Sequence, residues 1–178
     1  SSDVCSSDLI GLINFEVYRS GTSRMMGLAT IELTTAEPET VDMKGNGIAG
    51  TVAMPIRSNL GSMELKLTWR TPPVDAAKLF RYERIDLSLY GAVENVDAGT
   101  GGLKPHQHRF EVSGFPKNWN LGKWEPSATV DSELTLEVAI LNYFYEGVEK
   151  IAFDKLNYVY RVDGEDFASP FRKAVGLI

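Results

Sequence analysis

Met63, Leu65, Leu67 and Trp69 alternate with Glu64, Lys66, Thr68 and Arg70, the period-two pattern of a strand with one buried face. The same alternation marks Ile13 to Tyr18 and Ile85 to Tyr90. It is longest from Glu133 to Tyr145, where Leu134, Leu136, Val138 and Ile140 oppose Glu133, Thr135, Glu137 and Ala139. Met26 to Leu33, His108 to Gly114 and Ile151 to Val162 read as further strands. Ser20-Gly21-Thr22-Ser23 supplies a turn that joins 13–18 and 26–33 as a hairpin, and Glu146-Gly147-Val148-Glu149 folds 133–145 onto 151–162. Asp97 to Gly102 and Pro116 to Asn120 read as turns. Helical spacing is confined to Val74–Tyr82, entered through Pro72-Pro73, and to Ala168–Leu177 near the end. Seven or more strands with few helices predict a mainly-β protein. The expected fold is an antiparallel β-sandwich or barrel-like domain with one short flanking helix and a short C-terminal helix.

A chain of 178 residues suits one domain, taken as 10–178. Residues 1–9, in which Ser1-Ser2-Asp3 recurs as Ser6-Ser7-Asp8, carry neither period and read as a non-native leader. The stretch from Glu37 to Leu60 has no strong periodicity and reads as a loop of about 20 residues, a length that is usually functional in a small domain. Inside it, Gly45-Asn46-Gly47-Ile48-Ala49-Gly50 matches G-x-G-x-x-G, the fingerprint of a dinucleotide-binding turn. Its context fails. A polar, proline-broken segment precedes it where a buried strand is required, and Pro55 follows where a helix should run.

The formal charge of −6 and a pI near 5.0 offer no basic field for nucleic acid. From Asp131 to Asp166 nine acidic residues face three basic ones, so this segment alone carries the chain's net charge. No apolar run approaches the roughly 20 residues of a membrane span. One cysteine, Cys5, allows no intramolecular disulfide.

Three groups of residues invite chemistry. His106 and His108 share a strand face, but zinc needs three or four ligands and no third histidine exists. Asp131, Glu133 and Glu137 resemble a glycosidase's carboxylate set, with gaps of roughly 7 and 13 Å along a strand. Any acidic strand meets that test, and a solvated face is the plainer reading. Trp69, Trp119 and Trp124, with Tyr143, Tyr145, Tyr158 and Tyr160, could line a sugar platform, although cores and interfaces favour the same residues. A carbohydrate-binding β-sandwich is therefore the alternative reading.

The arm from 133 to 145 would extend roughly 40 Å, beyond the usual strand of a small domain. Such an arm projects, or needs neighbours to cover its edges. Several stretches, in order, resemble the major tail tube proteins of contractile-tailed bacteriophages, a family shared with phage-tail-like bacteriocins. They are Ile13-Asn14-Phe15-Glu16-Val17-Tyr18, Lys44-Gly45-Asn46-Gly47-Ile48-Ala49-Gly50 with Pro55, and Gly61-Ser62-Met63-Glu64-Leu65 with Leu67-Thr68-Trp69-Arg70-Thr71. Leu87-Ser88-Leu89-Tyr90-Gly91-Ala92, Gly114-Phe115-Pro116-Lys117 and Leu121-Gly122-Lys123 continue the likeness. Ile151 to Tyr158 and Arg172 to Leu177 complete it, so that it spans about residues 12–177.

The resemblance implies a structural virion protein with no catalysis, metal, cofactor or membrane partner. Six copies would form a ring in which long hairpins join as one intersubunit barrel, and rings would stack into the inner tube of a tail. The implied partners are further copies of the chain, the sheath protein, the tape-measure protein, and the baseplate and tail-terminator proteins. DNA would pass through without binding, and the protein would be made in the host bacterial cytoplasm. On this reading Met43, Gly45, Gly47, Ile48, Gly50, Met54 and Ile56 belong to an inter-ring assembly loop, with Gly61 at its end. Asp131, Glu133 and Glu137 become candidates for an acidic lumen face.

Overall fold

The computed structural model describes residues 9–19, 23–24, 27–33, 37–72, 74–97 and 99–177. Its strands, in chain order, are β1 (Leu9–Arg19), β2 (Ser23–Arg24), β3 (Leu28–Leu33), β4 (Pro38–Met43), β5 (Val52–Leu60) and β6 (Glu64–Trp69). They continue as β7 (Ile85–Val96), β8 (Leu103–Asn120), β9 (Ser132–Tyr145), β10 (Val148–Asp154), β11 (Val159–Val162) and β12 (Glu165–Asp166). A 3-10 helix, Val74–Arg81, precedes β7, and α1 (Ser169–Ala174) follows β12. β1 takes in Leu9, which the sequence pattern assigned to the leader.

All strand pairs are antiparallel, and the long sheet runs β12-β11-β10-β9-β8-β7-β1-β2 without closing into a barrel. β9 explains how a small domain uses so long a strand. Its first half, Ser132 to Glu137, pairs with β6, while Ile140 to Tyr145 pair with β10. β8 lies along β9's other side through both halves. The two halves thereby belong to different layers, β3-β6-β9-β8 below and β10-β9-β8-β7-β1 above. Between them lies the core: Met63, Leu65, Leu67, Trp69, Leu134, Leu136 and Val138 against Val17, Leu87, Leu89, Val112 and Leu141. The register steps from Gly114↔Val138 to Ser113↔Ile140, which leaves Ala139 as the extra residue of a β-bulge. Past the bulge the buried side chain is Leu141 and no longer Ile140, so the even-numbered apolar face expected along the whole arm holds only to Val138.

Five sequence expectations change, the first being that Ile151 to Val162 is not one return strand: β10 ends at Asp154 and turns back as β11, paired from Ile151↔Val162 to Asp154↔Val159. The hairpin between 13–18 and 26–33 does not form: β3 crosses to the other layer and pairs with β6, from Leu28↔Trp69 to Leu33↔Leu65. The turn Ser20 to Thr22 lies outside the described residues. Pro116 to Asn120 is strand, the last part of β8. There β7 has already ended at Ile85↔Gly114, so Pro116, paired with Leu136 of β9, has a strand on one side only, the setting in which a sheet tolerates proline. The flanking helix is 3-10, with Leu79 its buried anchor and Phe80 half-buried against Trp119. The supposed loop from Glu37 to Leu60 is a separate two-stranded ribbon of β4 and β5.

Candidate assembly surfaces

In the ribbon, Val41 faces Met54 and Met43 faces Val52, so the four share one face. Val41 is 52% exposed, Met43 and Met54 47% and Val52 45%, which the core among the described residues does not account for. Ile48 is exposed at the tip, where its N–H donates to the Gly45 carbonyl at 3.1 Å. Gly47 and Gly50 hold positive φ of 98° and 113°, conformations cheap only for glycine. Ile56, further along β5, is half-buried toward the root. A two-stranded ribbon is marginal alone in water, so its uncovered apolar row is a surface waiting for a second layer.

The root of the ribbon is tied more firmly. Gly61 N–H donates to the Glu37 carbonyl at 2.8 Å, and Lys155 Nζ donates to the Gly61 carbonyl at 2.6 Å. Ser62 Oγ donates to Glu137 Oε2 at 2.7 Å. Lys155 Nζ also lies 3.9 Å from Glu137 Oε1, and Lys117 Nζ is 3.8 Å from Glu137 Oε2. Glu64 stands directly across from Glu137 in the ladder, a like-charge pair that is unfavourable on its own. Lys117 bonds to Glu64 and offsets it. That hydrogen bond holds the Glu64 carboxyl below the usual carboxylate range and raises the lysine.

The three sequence-nominated acids therefore occupy different settings. Asp131 precedes β9 with a φ of 50° and accepts from Thr129 Oγ1 at 3.1 Å. Glu133 is exposed between Thr68 and Asn120. Glu137 is drawn into lysine and serine contacts. His106 and His108 sit within strand β8, half-buried. His108 Nδ1 is 2.7 Å from the Tyr143 hydroxyl, and His106 Nδ1 is 3.3 Å from Glu146. Burial is the main cause raising the Tyr143 phenol above its ordinary range. Among the described residues no group of three or more His, Cys, Asp or Glu could hold a metal ion. Trp69 is buried in the core and cannot join Trp119 and Trp124 in a platform. Trp119 instead stacks on Phe80, with ring centroids 4.7 Å apart, and donates Nε1 to the Tyr82 hydroxyl at 3.2 Å.

Periodicity did not reveal the state of the sheet's two ends, because edges are set by long-range pairing. Of β1, only Tyr18 and Arg19 are paired on the outer side, by β2. Its stretch from Leu9 to Val17 is otherwise an open edge among the described residues. At the opposite end stands the two-residue β12, and Val148 and Glu149 of β10 extend past β11. Beside β1 lies an apolar hollow of about 460 Å³, lined by Leu12, Phe15, Ile31, Leu89, Val93 and Phe110 among others.

Helix α1 has no buried residue of its own. Arg172 ties it down, donating from Nη2 to Asp166 Oδ2 at 2.5 Å and from Nη1 to the Tyr158 carbonyl at 2.7 Å. The Arg172 hydrogen bond is the main cause holding the Asp166 carboxyl below the usual carboxylate range. A carboxyl depressed in the folded state stabilises above its unfolded pKa and loses that contribution as pH falls through the folded one. The α1 anchor should thus be intact at neutral pH and open progressively below about pH 4. Arg172→Met should open it at every pH, at a cost of about 1–2 kcal/mol. Amide exchange across 169–176, compared at pH 7 and pH 3, checks both; equal protection at the two pH values would refute the acid dependence.

Among the described residues the β-sandwich thus carries open sheet edges, an uncovered ribbon and an apolar hollow beside β1. The family model for phage tail tube protein FII matches residues 11–176. The chain belongs to that family, and its role is structural, in the tail tube of a phage or phage-like particle. No curated protein sequence matches it significantly. Among solved structures it resembles the sheath/tube terminator of the PVC extracellular contractile injection system in the extended state, at 15% identity and a TM-score of 0.50. That alignment covers 74% of this chain and 94% of the other, and the likeness is one of fold. The PVC sheath-tube complex aligns with a TM-score of 0.49 at 15% identity over 74% and 88% of the two chains. The baseplate of the anti-feeding prophage aligns at 0.42 and 10% identity over 83% and 99%. No helix among the described residues is long and apolar enough to cross a membrane.

Proposed function

We propose that the chain closes head-to-tail into a ring of six and that rings stack into the inner tube of a contractile tail, the conduit for ejected DNA. The observation that carries this reading is the open sheet, in which, among the described residues, Leu9 to Val17 of β1 are unpaired on the outer side at one end and β10 to β12 stand at the other. Two different edges on one chain make a heterologous contact, which repeats and closes when the rotation per subunit allows. Closure abolishes the exposed edges and lets a neighbour cover the hollow beside β1. The number six rests on the family resemblance.

The face of the long sheet that is free of a second layer then lines the lumen. Across it run the rows Glu16–Tyr90–Arg109–Phe144–Glu149 and Tyr18–Ser88–Glu111–Asn142–Ala152–Arg161. Each arginine near these rows is held by a carboxylate: Arg24 by Glu16, Arg109 by Glu111 at 3.6 Å, and Arg161 by Glu149 at 3.1 Å. Guanidinium groups already paired leave little to grip a passing phosphate. In this arrangement exposed Glu133 and half-buried Glu137 lie on the opposite, β6 side of the sandwich and belong to the outer wall. The sheath protein would face that wall, the tape-measure protein would occupy the lumen during assembly, and the baseplate and terminator would meet the two ends.

Negative-stain microscopy and native mass measurement of the purified protein test the reading. Hexameric rings or tubes are expected. A strictly monomeric species at high concentration, at every salt tried, would sink it.

A further inference from the structure

β4 and the outer part of β5, Val52 to Pro55, are exposed, while Ile56 and Leu60 are half-buried toward the sandwich, so among the described residues the ribbon's direction is set at its root. We infer that Lys155, held by Glu137, is the positioning residue that aims the ribbon. This rests on the reading of the ribbon as the element that joins one ring to the next.

Three observations converge on one point. The chain leaves β5 at Leu60 and enters β6 at Glu64, so Gly61 and Ser62 form the hinge between ribbon and sandwich. Lys155 Nζ reaches the Gly61 carbonyl at 2.6 Å from the turn after β10, in the other layer, and is only 24% exposed at its side chain. The backbone N–H of Lys155 is itself fixed on the Ala139 carbonyl at 3.0 Å, beside the bulge in β9. The second hinge residue, Ser62, donates to Glu137 at 2.7 Å, and Glu137 also draws Lys155 to 3.9 Å. Glu137 therefore holds one hinge residue directly and the other through the lysine.

The chemistry suits a clamp. An ammonium group offers three donors and no acceptor, so it can serve a carbonyl and a carboxylate together. Charge-assisted hydrogen bonds are roughly twice as strong as neutral ones, and these are partly shielded from water. Gly61 adds a geometric limit: a Cβ there would stand 3.1 Å from the Glu37 carbonyl oxygen, so the root is already close-packed. A ribbon of β5's nine residues is roughly 30 Å long at strand rise, so a tilt of ten degrees at the root would move its tip by about 5 Å. A small loosening at Lys155 is therefore large where the ribbon meets its partner.

The test uses Lys155→Met, Glu137→Gln and Lys155→Arg in the full chain. Lys155→Met should leave ring formation and the thermal midpoint close to wild type, while tube length falls at least tenfold. Amide exchange should quicken severalfold at 59–63 and stay unchanged at 65–69 and 134–138. Lys155→Arg, which keeps a charged donor, should restore most of the tube length. Tubes of wild-type length with wild-type exchange at the root would overturn the inference. If Lys155→Met loosens the core as well, Glu137→Gln decides: it keeps an acceptor for Ser62 and removes only the charge. Faster exchange at 61–62 over a normal core then supports the clamp, and unchanged exchange refutes it. The ribbon reading fails separately, if Ile48→Asp at the tip leaves stacking intact.

Discussion

Gly114→Ala should cost the subunit about 3 kcal/mol, the upper end of what overpacking a core usually does. Gly114 is buried in β8, where the register shifts at the bulge. A Cβ built on it lies 2.3 Å from the Glu137 carbonyl oxygen, 3.1 Å from its carbon and 3.3 Å from Val138 Cα. All three are backbone atoms of β9, so no side-chain rotation relieves the clash. β8 must draw away from β9 at the point where the two layers join. Domains of this kind are stable by only about 5–15 kcal/mol, so a urea midpoint should fall clearly. Gly122→Ala should be at least as harmful, since Gly122 combines a φ of 82° with a Cβ position 2.0 Å from the Val130 carbonyl oxygen. Gly45→Ala is the control. Its φ is ordinary and the space around it open, so a change within about 0.5 kcal/mol is expected. A midpoint for Gly114→Ala equal to that of Gly45→Ala would show that β8 and β9 are not so closely joined.

Met54→Asp should have the largest effect on assembly and almost none on the subunit. Met54 lies across from Val41 in the ribbon, outside the core, so its replacement should leave the thermal midpoint within a degree or two. Covering the exposed half of such a side chain is worth roughly 1 kcal/mol. Placing a carboxylate there forfeits that gain and adds a desolvation cost. In the proposed ring of six, with one ribbon from each subunit at a junction, the loss would be multiplied. About 6 kcal/mol per ring corresponds to roughly a 10⁴-fold higher concentration for tube growth. Rings without tubes are the expected image. Sedimentation and microscopy across a concentration series measure it, and tubes at the wild-type threshold would remove the ribbon from the ring-to-ring contact.

The strands that could be read from sequence are those with one wet and one dry face. Met63 to Trp69 and Leu134 to Val138 announce themselves because burial within a single chain writes the period. The ribbon escaped for the converse reason: Val41, Met43, Val52 and Met54 alternate correctly, but Pro38, Pro55 and the glycines between suggest a loop, and nothing among the described residues buries the row. Yet Met43, Ile48 and Met54 were nominated as assembly residues from the resemblance, and they are exposed on the ribbon. Strand partnership was less legible. A local turn argued for pairing 13–18 with 26–33, whereas β3 finds β6 some 35 residues further on in sequence, a choice made by the two-layer core. The root clamp was invisible as well, since Gly61, Glu137 and Lys155 meet only after β9 has bent between the layers.

Strands β8 and β9 pass through both layers without a break. In a sandwich whose sheets share no strand, a sideways force slides one sheet over the other and is resisted only by side-chain friction. Here the same force must bend two continuous backbones at their bulge. Each subunit is thus braced against shear by its covalent chain, a mechanical property suited to the wall of a tube.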